Sequence, residues 1–156
     1  MTVDWVMQSE VTHRGQVCRA ILQALPDWFG RPDAINDYVT TAERQPMFVA
    51  LKHDKPVGFV SISQHFARSF EIHSMGVLQP FHRTGIGRAL VAQATAFVAA
   101  QGGDFLSVKT VSDAWEDENY ARTRAFYLGI GFTPIEEFET LWGDVPCLML
   151  IKAVKV

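Results

Sequence analysis

Cysteine is scarce in this chain. There are two, Cys18 and Cys147, far apart and without CxxC spacing. That argues against a disulfide framework, and two buried reduced thiols of a cytoplasmic protein are expected. Long apolar runs are also missing. No stretch approaches the ~18 uninterrupted apolar residues of a spanning helix. The opening MTVDWVMQSE contains acidic residues and no apolar core of signal length, so no membrane association is expected. Positive charge is not in excess either. Lys and Arg number 14 against 17 Asp and Glu, a net charge of −3. A general nucleic-acid binder would be basic, so nucleic acid is not expected as a partner, although a local basic patch remains possible. No His, Cys, Asp and Glu set has metal-ligand spacing, so no metal is expected, and His13, His53 and His65 read as surface or turn residues. A Gly-x-Ser-x-Gly elbow is absent, which leaves a serine hydrolase without support. There is no internal repeat, linker or low-complexity segment.

What is present suits one folded domain spanning residues 1–156, with 48% hydrophobic, 20% charged and 12% aromatic residues. Val3 to Gln8 reads as a short strand. Val17, Ala20, Ile21, Ala24 and Leu25 form one helical face that Pro26 ends, and a second helix opens at Pro32-Asp33 with Ile35, Tyr38, Val39 and Ala42 as its buried stripe. Met47–Leu51 and Val57–Gln64 read as a hairpin around the polar turn Lys52 to Pro56. Phe70 to Leu78 follows as a third strand, after a turn near Ala67-Arg68-Ser69. From Gly85 the period becomes helical, with Ile86, Ala89, Leu90, Ala94, Phe97 and Val98 on one face, and Gly102-Gly103 suits a left-handed cap. Phe105–Val111 is the next strand. An acidic loop from Asp113 to Glu118 then leads into a short helix over Asn119 to Leu128. Phe132–Phe138 and Cys147–Val154 close the chain as strands around a loop at residues 141–146. The expected fold class is therefore α/β with mixed pairing, not a regularly alternating doubly wound sheet.

One stretch stands out for chemistry: His82-Arg83-Thr84-Gly85-Ile86-Gly87-Arg88-Ala89, between a strand and a long helix. A helix opening presents unpaired N–H groups and the positive end of its dipole, so it attracts an anion. Gly85 and Gly87 let the backbone approach a phosphate closely, and Arg83 and Arg88 add charge. Three phosphate-binding patterns compete. The P-loop string Gly-x-x-x-x-Gly-Lys-Ser/Thr does not occur. A dinucleotide fingerprint needs a third glycine where Leu90 stands, although Asp104 lies at a suggestive distance before a strand. The third pattern fits better. The string resembles the signature Gln/Arg-x-x-Gly-x-Gly/Ala of the GNAT acyltransferase superfamily, with His82 in the Gln/Arg position.

The resemblance implies a mixed, largely antiparallel sheet of about six to seven strands flanked by four helices. It also implies acetyl-CoA as acyl donor, with its pyrophosphate held by His82 to Ala89 and its pantetheine arm met by backbone groups of Met75 and Val77. Gly76 between them suggests a kink or bulge. Downstream, Phe126-Tyr127-Leu128-Gly129-Ile130-Gly131-Phe132 resembles the family's second signature, whose Tyr protonates the departing sulfur; by position this is Tyr127. A phenol with an ordinary pKa of about 10 can supply a proton to a leaving thiolate. The family's Asn seven residues earlier falls on Tyr120, and Asn119, one residue before it, is the candidate for cofactor contact.

An attacking ammonium must also lose a proton. Glu71 and His73 alternate with Met75 on one face of a strand that the resemblance places beside the reaction centre, and one of them is the expected base. The resemblance makes Glu71 the first choice, since several family members carry an acidic residue on this strand. The acceptor is less legible. The acidic loop suits a cationic amine or simply caps the helix after it. Trp28, Phe29, Trp115 and Trp142 read as loop aromatics able to wall a small-amine pocket. The expected reaction is acetyl transfer to a primary amine of a small molecule. A protein lysine or N-terminus as acceptor, or a non-catalytic acyl-CoA-binding module, are the alternatives. Family members are often dimers, which makes a homodimer possible.

Overall fold

The computed structural model describes residues 5–155. Its elements run β1 (Val6–Gln8), α1 (Arg14–Gln23), α2 (Pro32–Ala42), β2 (Met47–Lys52), β3 (Lys55–Phe66), β4 (Ser69–Val77), α3 (Ile86–Ala100), β5 (Phe105–Val111), α4 (Glu118–Gly129), β6 (Thr133–Trp142) and β7 (Val145–Ala153), with a short 3-10 turn over Gln79–Phe81. This is the order read from the sequence, with seven strands and four helices among the described residues. The first strand was expected from Val3, but Val3 and Asp4 lie outside the described residues. The strands bond in the order β1-β2-β3-β4-β5-β7-β6. Pairing is antiparallel for β1–β2, β2–β3, β5–β7 and β6–β7, and parallel for β4–β5.

Two corrections concern turns. The β2–β3 connection was expected to span five residues, but Lys52 pairs with Lys55 and only His53-Asp54 turns, at φ 51° and 65°. Two successive left-handed residues match the twist of a hairpin. Pro56 joins the strand at a register shift between Ala50 and Leu51, where its missing N–H is tolerated. The last connection is equally tight. Trp142 pairs with Val145 around Gly143-Asp144, with Gly143 at φ 69°, so Trp142 sits in β6 rather than in a loop.

The chain divides into two compact units. One holds the chain through Ser63 together with His73–Phe97. Its core is built by Cys18, Ile21, Leu22, Leu25, Ile35, Ala42, Met47, Val49 and Phe59. Gly76 is buried where α1 comes close: a Cβ there would lie 3.0 Å from both Ile21 and Leu25. Helix contact explains this glycine. The buried Ser61 and Ser63 hydroxyls both meet the Gln45 amide, at 3.0 and 2.5 Å.

The other unit holds Gln64–Ile72 and the chain from Val98 onward. Here Ser69–Ile72 pairs in parallel with Phe105–Val108, and β7 covers the other edge of β5. Gly102, at φ 84°, and Gly103 end α3, with Gly103 N–H donating to Val98 O at 2.8 Å. Asp104 follows at once. Its carboxylate takes Arg68 at 2.5 Å and Lys155 at 3.3 Å. Burial works against its charge, but hydrogen bonds from Lys155 and Arg68 hold its carboxyl below the usual range. Asp104 is thus a tie between the β3–β4 turn and the segment just after β7, not a ribose-binding acid. Among the described residues, no helix is long and apolar enough to cross a membrane.

Two outcomes are expected. In Gly103→Ala, the new Cβ would meet Val98 Cγ1 at 2.4 Å and Val98 O at 2.9 Å, so thermal or urea unfolding should show a loss of about 1–3 kcal/mol. A carboxyl whose folded pKa is lowered stabilises above its unfolded value and stops doing so as pH falls through the folded one. Asp104→Asn should therefore melt below wild type at pH 7, with the gap closing below about pH 4.

Candidate functional site

Within the first unit, β4 ends at Val77 and the chain passes through the 3-10 turn into residues 82–85 before α3 begins at Ile86. This segment is held from several sides. His82 Nε2 donates to Val77 O at 2.6 Å, and its ring meets Trp28 edge-on at 5.6 Å. Thr84 Oγ1 donates to Phe81 O at 2.5 Å. Two residues are left-handed, Arg83 at φ 64° and Gly85 at φ 90°. The Arg83 conformation is costly for a side-chain-bearing residue, and such strain tends to sit where function needs it.

Gly85 O accepts from Ala89 N at 3.0 Å, which makes Gly85 the residue that opens the helix. Ile86 is fully buried and anchors the first turn, whereas Arg83, Thr84, Gly85 and Arg88 are exposed. Nothing lies within 4 Å of a Cβ built on Gly85, so its φ, not crowding, demands glycine. First-turn N–H groups lacking intrahelical partners, the positive dipole end and two arginines form an opening able to receive an anion such as a pyrophosphate. Of the groups expected to meet a pantetheine arm, the Val77 carbonyl carries the His82 bond. Phe81, just upstream, lies under Lys52 Nζ at 5.2 Å and joins Lys52, Lys55, Val57 and Leu78 among the walls of a cavity of about 440 Å³.

His73 and the α1–α2 link belong to the same unit. The Tyr38 ring stands edge-on to His73 at 5.4 Å and to Phe29 at 6.0 Å, giving a row of aromatic rings on the α2 side of β4. Trp28 and Phe29 pack partly against the core. Burial pushes the Cys18 thiol up to about 11, while the Ser74 hydroxyl and Arg19 pull it down. It is an inert core residue.

The second unit carries Tyr127, Asn119 and Glu71. Tyr127 is buried on α4, edge-on to Phe126 at 5.3 Å and to Phe132 at 5.4 Å. Gly131, at φ 103°, lets the chain double back so that Phe132 N–H reaches Tyr127 O at 3.0 Å. That fold-back is why the Gly-Phe pair follows the tyrosine. Asp117 caps α4, its Oδ1 accepting from the N–H groups of Asn119 at 2.8 Å and Tyr120 at 3.2 Å. One of the loop's acids is therefore committed to the helix. The Asn119 side-chain oxygen accepts from Arg122. Trp115 is exposed.

Glu71 is buried. Its side chain is 8% exposed, with Oε2 taking Lys109 Nζ at 2.7 Å and Oε1 meeting His65 Nε2 at 2.6 Å. The parallel register explains Lys109. Glu71 lies level with Ser107, and Lys109 is two residues further along the same face of β5. Val111 continues that face and pairs with Cys147 of β7. Burial pushes the Cys147 thiol up to about 11, with Lys109 opposing and Glu71 adding to the rise.

His65 and Lys109 are the residues that sequence reasoning missed. His65 read as a surface residue, and it is half exposed, but it is bonded to the buried acid. The available signal was the short turn at Ala67-Arg68, which folds the end of β3 back beside β4. No group of three or more His, Cys, Asp or Glu residues able to hold a metal occurs among the described residues.

Comparisons with known proteins agree with this architecture. No curated protein sequence matches the chain. Among solved structures, the Escherichia coli ribosomal-protein-S18-alanine N-acetyltransferase superposes with a TM-score of 0.78 at 16% identity, over 97% of this chain and 95% of that one. An aminoglycoside 6'-N-acetyltransferase complexed with coenzyme A gives 0.77 at 17% identity, over 97% and 98%. A GNAT family acetyltransferase from Elizabethkingia anophelis with acetyl-CoA bound gives 0.74 at 13% identity, over 97% and 99%. At these identities the likeness is one of fold. The sequence itself matches the acetyltransferase (GNAT) domain family over residues 43–134, more than half of the chain. That span takes in β2 through α4, the glycine-bearing turn and Tyr127 included, and the chain belongs to the GNAT acetyltransferase family.

Proposed function

We propose that the whole chain acts as one GNAT domain that moves an acetyl group from acetyl-CoA to a primary amine of a small molecule. The observation that carries this reading is the left-handed turn at Arg83 and Gly85, which delivers the chain into the exposed opening of α3 with Arg83 and Arg88 beside it. Donors arranged in this way suit the pyrophosphate of coenzyme A. Crystal structures of two similar folds contain coenzyme A or acetyl-CoA, in keeping with that assignment. In this reading His82 to Ala89 bind the pyrophosphate. Met75 and Val77 offer backbone groups to the pantetheine, with His82 bracing the Val77 carbonyl. Asn119 is a further cofactor contact.

Once bound, acetyl-CoA supplies an activated acyl group, and the protein supplies position and proton transfer. Tyr127 gives its phenolic proton to the departing sulfur. The amine loses its proton at a base site beside β4, the strand on which Glu71 and His73 are the candidates read from the sequence. The aromatic row of Phe29, Tyr38 and His73 favours a compact organic cation as acceptor.

The test is acetyl-CoA-dependent thiol release across amines, polyamines, aminoglycosides and short peptides. Tyr127→Phe should lower kcat by about 10²–10³-fold with little change in the KM for acetyl-CoA, as expected for loss of a general acid. Gly85→Val, which forces a β-branched residue to φ 90°, should instead weaken acetyl-CoA binding at least tenfold in calorimetry. Turnover of peptides alone would reassign the acceptor to a protein. Tight acetyl-CoA binding with no turnover would indicate a binding module.

A further inference from the structure

Glu71 has the burial of a core residue and the partners of a working one. With 8% of its side chain exposed, each oxygen already accepts one strong donor, Lys109 Nζ on Oε2 and His65 Nε2 on Oε1. A carboxylate so enclosed is well placed to orient a neighbour and poorly placed to meet an incoming ammonium. His65 is its complement, 50% exposed and anchored through one ring nitrogen. A neutral imidazole that donates Nε2–H to a carboxylate carries its lone pair on Nδ1. A carboxylate that fixes both the tautomer and the ring orientation of a histidine is the arrangement by which a histidine base is prepared for proton transfer.

We propose that His65 accepts the proton of the attacking ammonium, with Glu71 as its positioning residue and Lys109 holding Glu71 in place. This rests on the reading of the chain as an amine acetyltransferase, and it makes Glu71 the support of the base rather than the base. The step balances as follows. An N–H bond of the ammonium breaks and the proton bonds to His65 Nδ1. The freed nitrogen lone pair forms the C–N bond to the acetyl carbon while the C–S bond breaks. The sulfur takes the Tyr127 proton, and Tyr127 recovers one from the second N–H of the new amide. His65 then returns its proton to water, so one proton is released per turnover.

Among the described residues, Lys109 from β5 and Cys147 from β7 are the titratable groups that act with Glu71 besides His65. The thiol, pushed up to about 11, stays neutral through the working range and leaves Lys109 as the charge that opposes Glu71.

The experiment compares wild type with His65→Ala, using kanamycin, spermidine and a short peptide with a free N-terminus as probes. His65→Ala should lower kcat with the amine by about 10²-fold, leave the KM for acetyl-CoA unchanged, and flatten the acid limb of the pH–rate profile. Added imidazole should restore part of the rate. His65→Gln keeps a donor for Glu71 but cannot take a proton; it should be equally slow, and it replaces the alanine variant if that fails to fold. Independently of turnover, nitrogen NMR of the imidazole should place the neutral ring's proton on Nε2 in wild type and lose that preference in Glu71→Gln.

Wild-type turnover that both His65 variants reproduce, with the same pH profile, would overturn the role of His65 alone. Wild type inert toward every probe would overturn the transferase reading, and the role with it.

Discussion

A parallel pair of strands cannot be closed by a hairpin; the chain must leave one end of the sheet and return to the other through a crossover. The pairing of Ser69–Ile72 with Phe105–Val108 imposes that crossover here, and α3 is the element that makes it. Residues 78–85 lead from the end of β4 to the first turn of α3. The chain changes direction there through two left-handed residues, one of them the non-glycine Arg83. The local features of residues 82–86 go with this change of direction. Gly85 is needed for its φ, Ile86 is buried to seat the helix, and His82 ties the turn back to the Val77 carbonyl.

The same parallel pairing places charge in the sheet. Level registry puts Glu71 beside Ser107 and within reach of Lys109, and the tight β3–β4 turn adds His65 from the opposite side. Removing one partner from a buried ion pair is costly because an uncompensated charge is left behind. Glu71 is thus fixed in place by its surroundings, as the positioning role proposed for it requires. Asp104 shows the contrasting use of a carboxylate. Its bonds to Arg68 and Lys155 join a turn to the segment just after β7, and it serves the fold.

Much of this was legible in the sequence because it is local. The helical stripe of α3, the glycine cap at Gly102 and the order of elements all depend on residues a few positions apart. The glycine-bearing turn was legible for the same reason, since its chemistry lies within eight residues. The errors came where structure is set across strands. His53-Asp54 and Gly143-Asp144 close tight hairpins that composition alone stretched into longer loops, and Trp142 moved into β6 as a result. His65 looked like a surface residue because its partner, Glu71, is six residues away across a turn. The Lys109 contact spans 38 positions. Burial of Glu71 follows from those pairings and has no signature in the alternation of β4.

The central claim is that the opening of α3 receives the coenzyme's pyrophosphate. Its most direct measurement is an amide NMR titration of the wild-type chain with coenzyme A, run beside an identical titration with NAD. Saturable shifts with coenzyme A that are largest at Arg83 through Arg88, together with no response to NAD, are the predicted result. Shifts that leave those amides unmoved, or an equal response to NAD, would contradict the account.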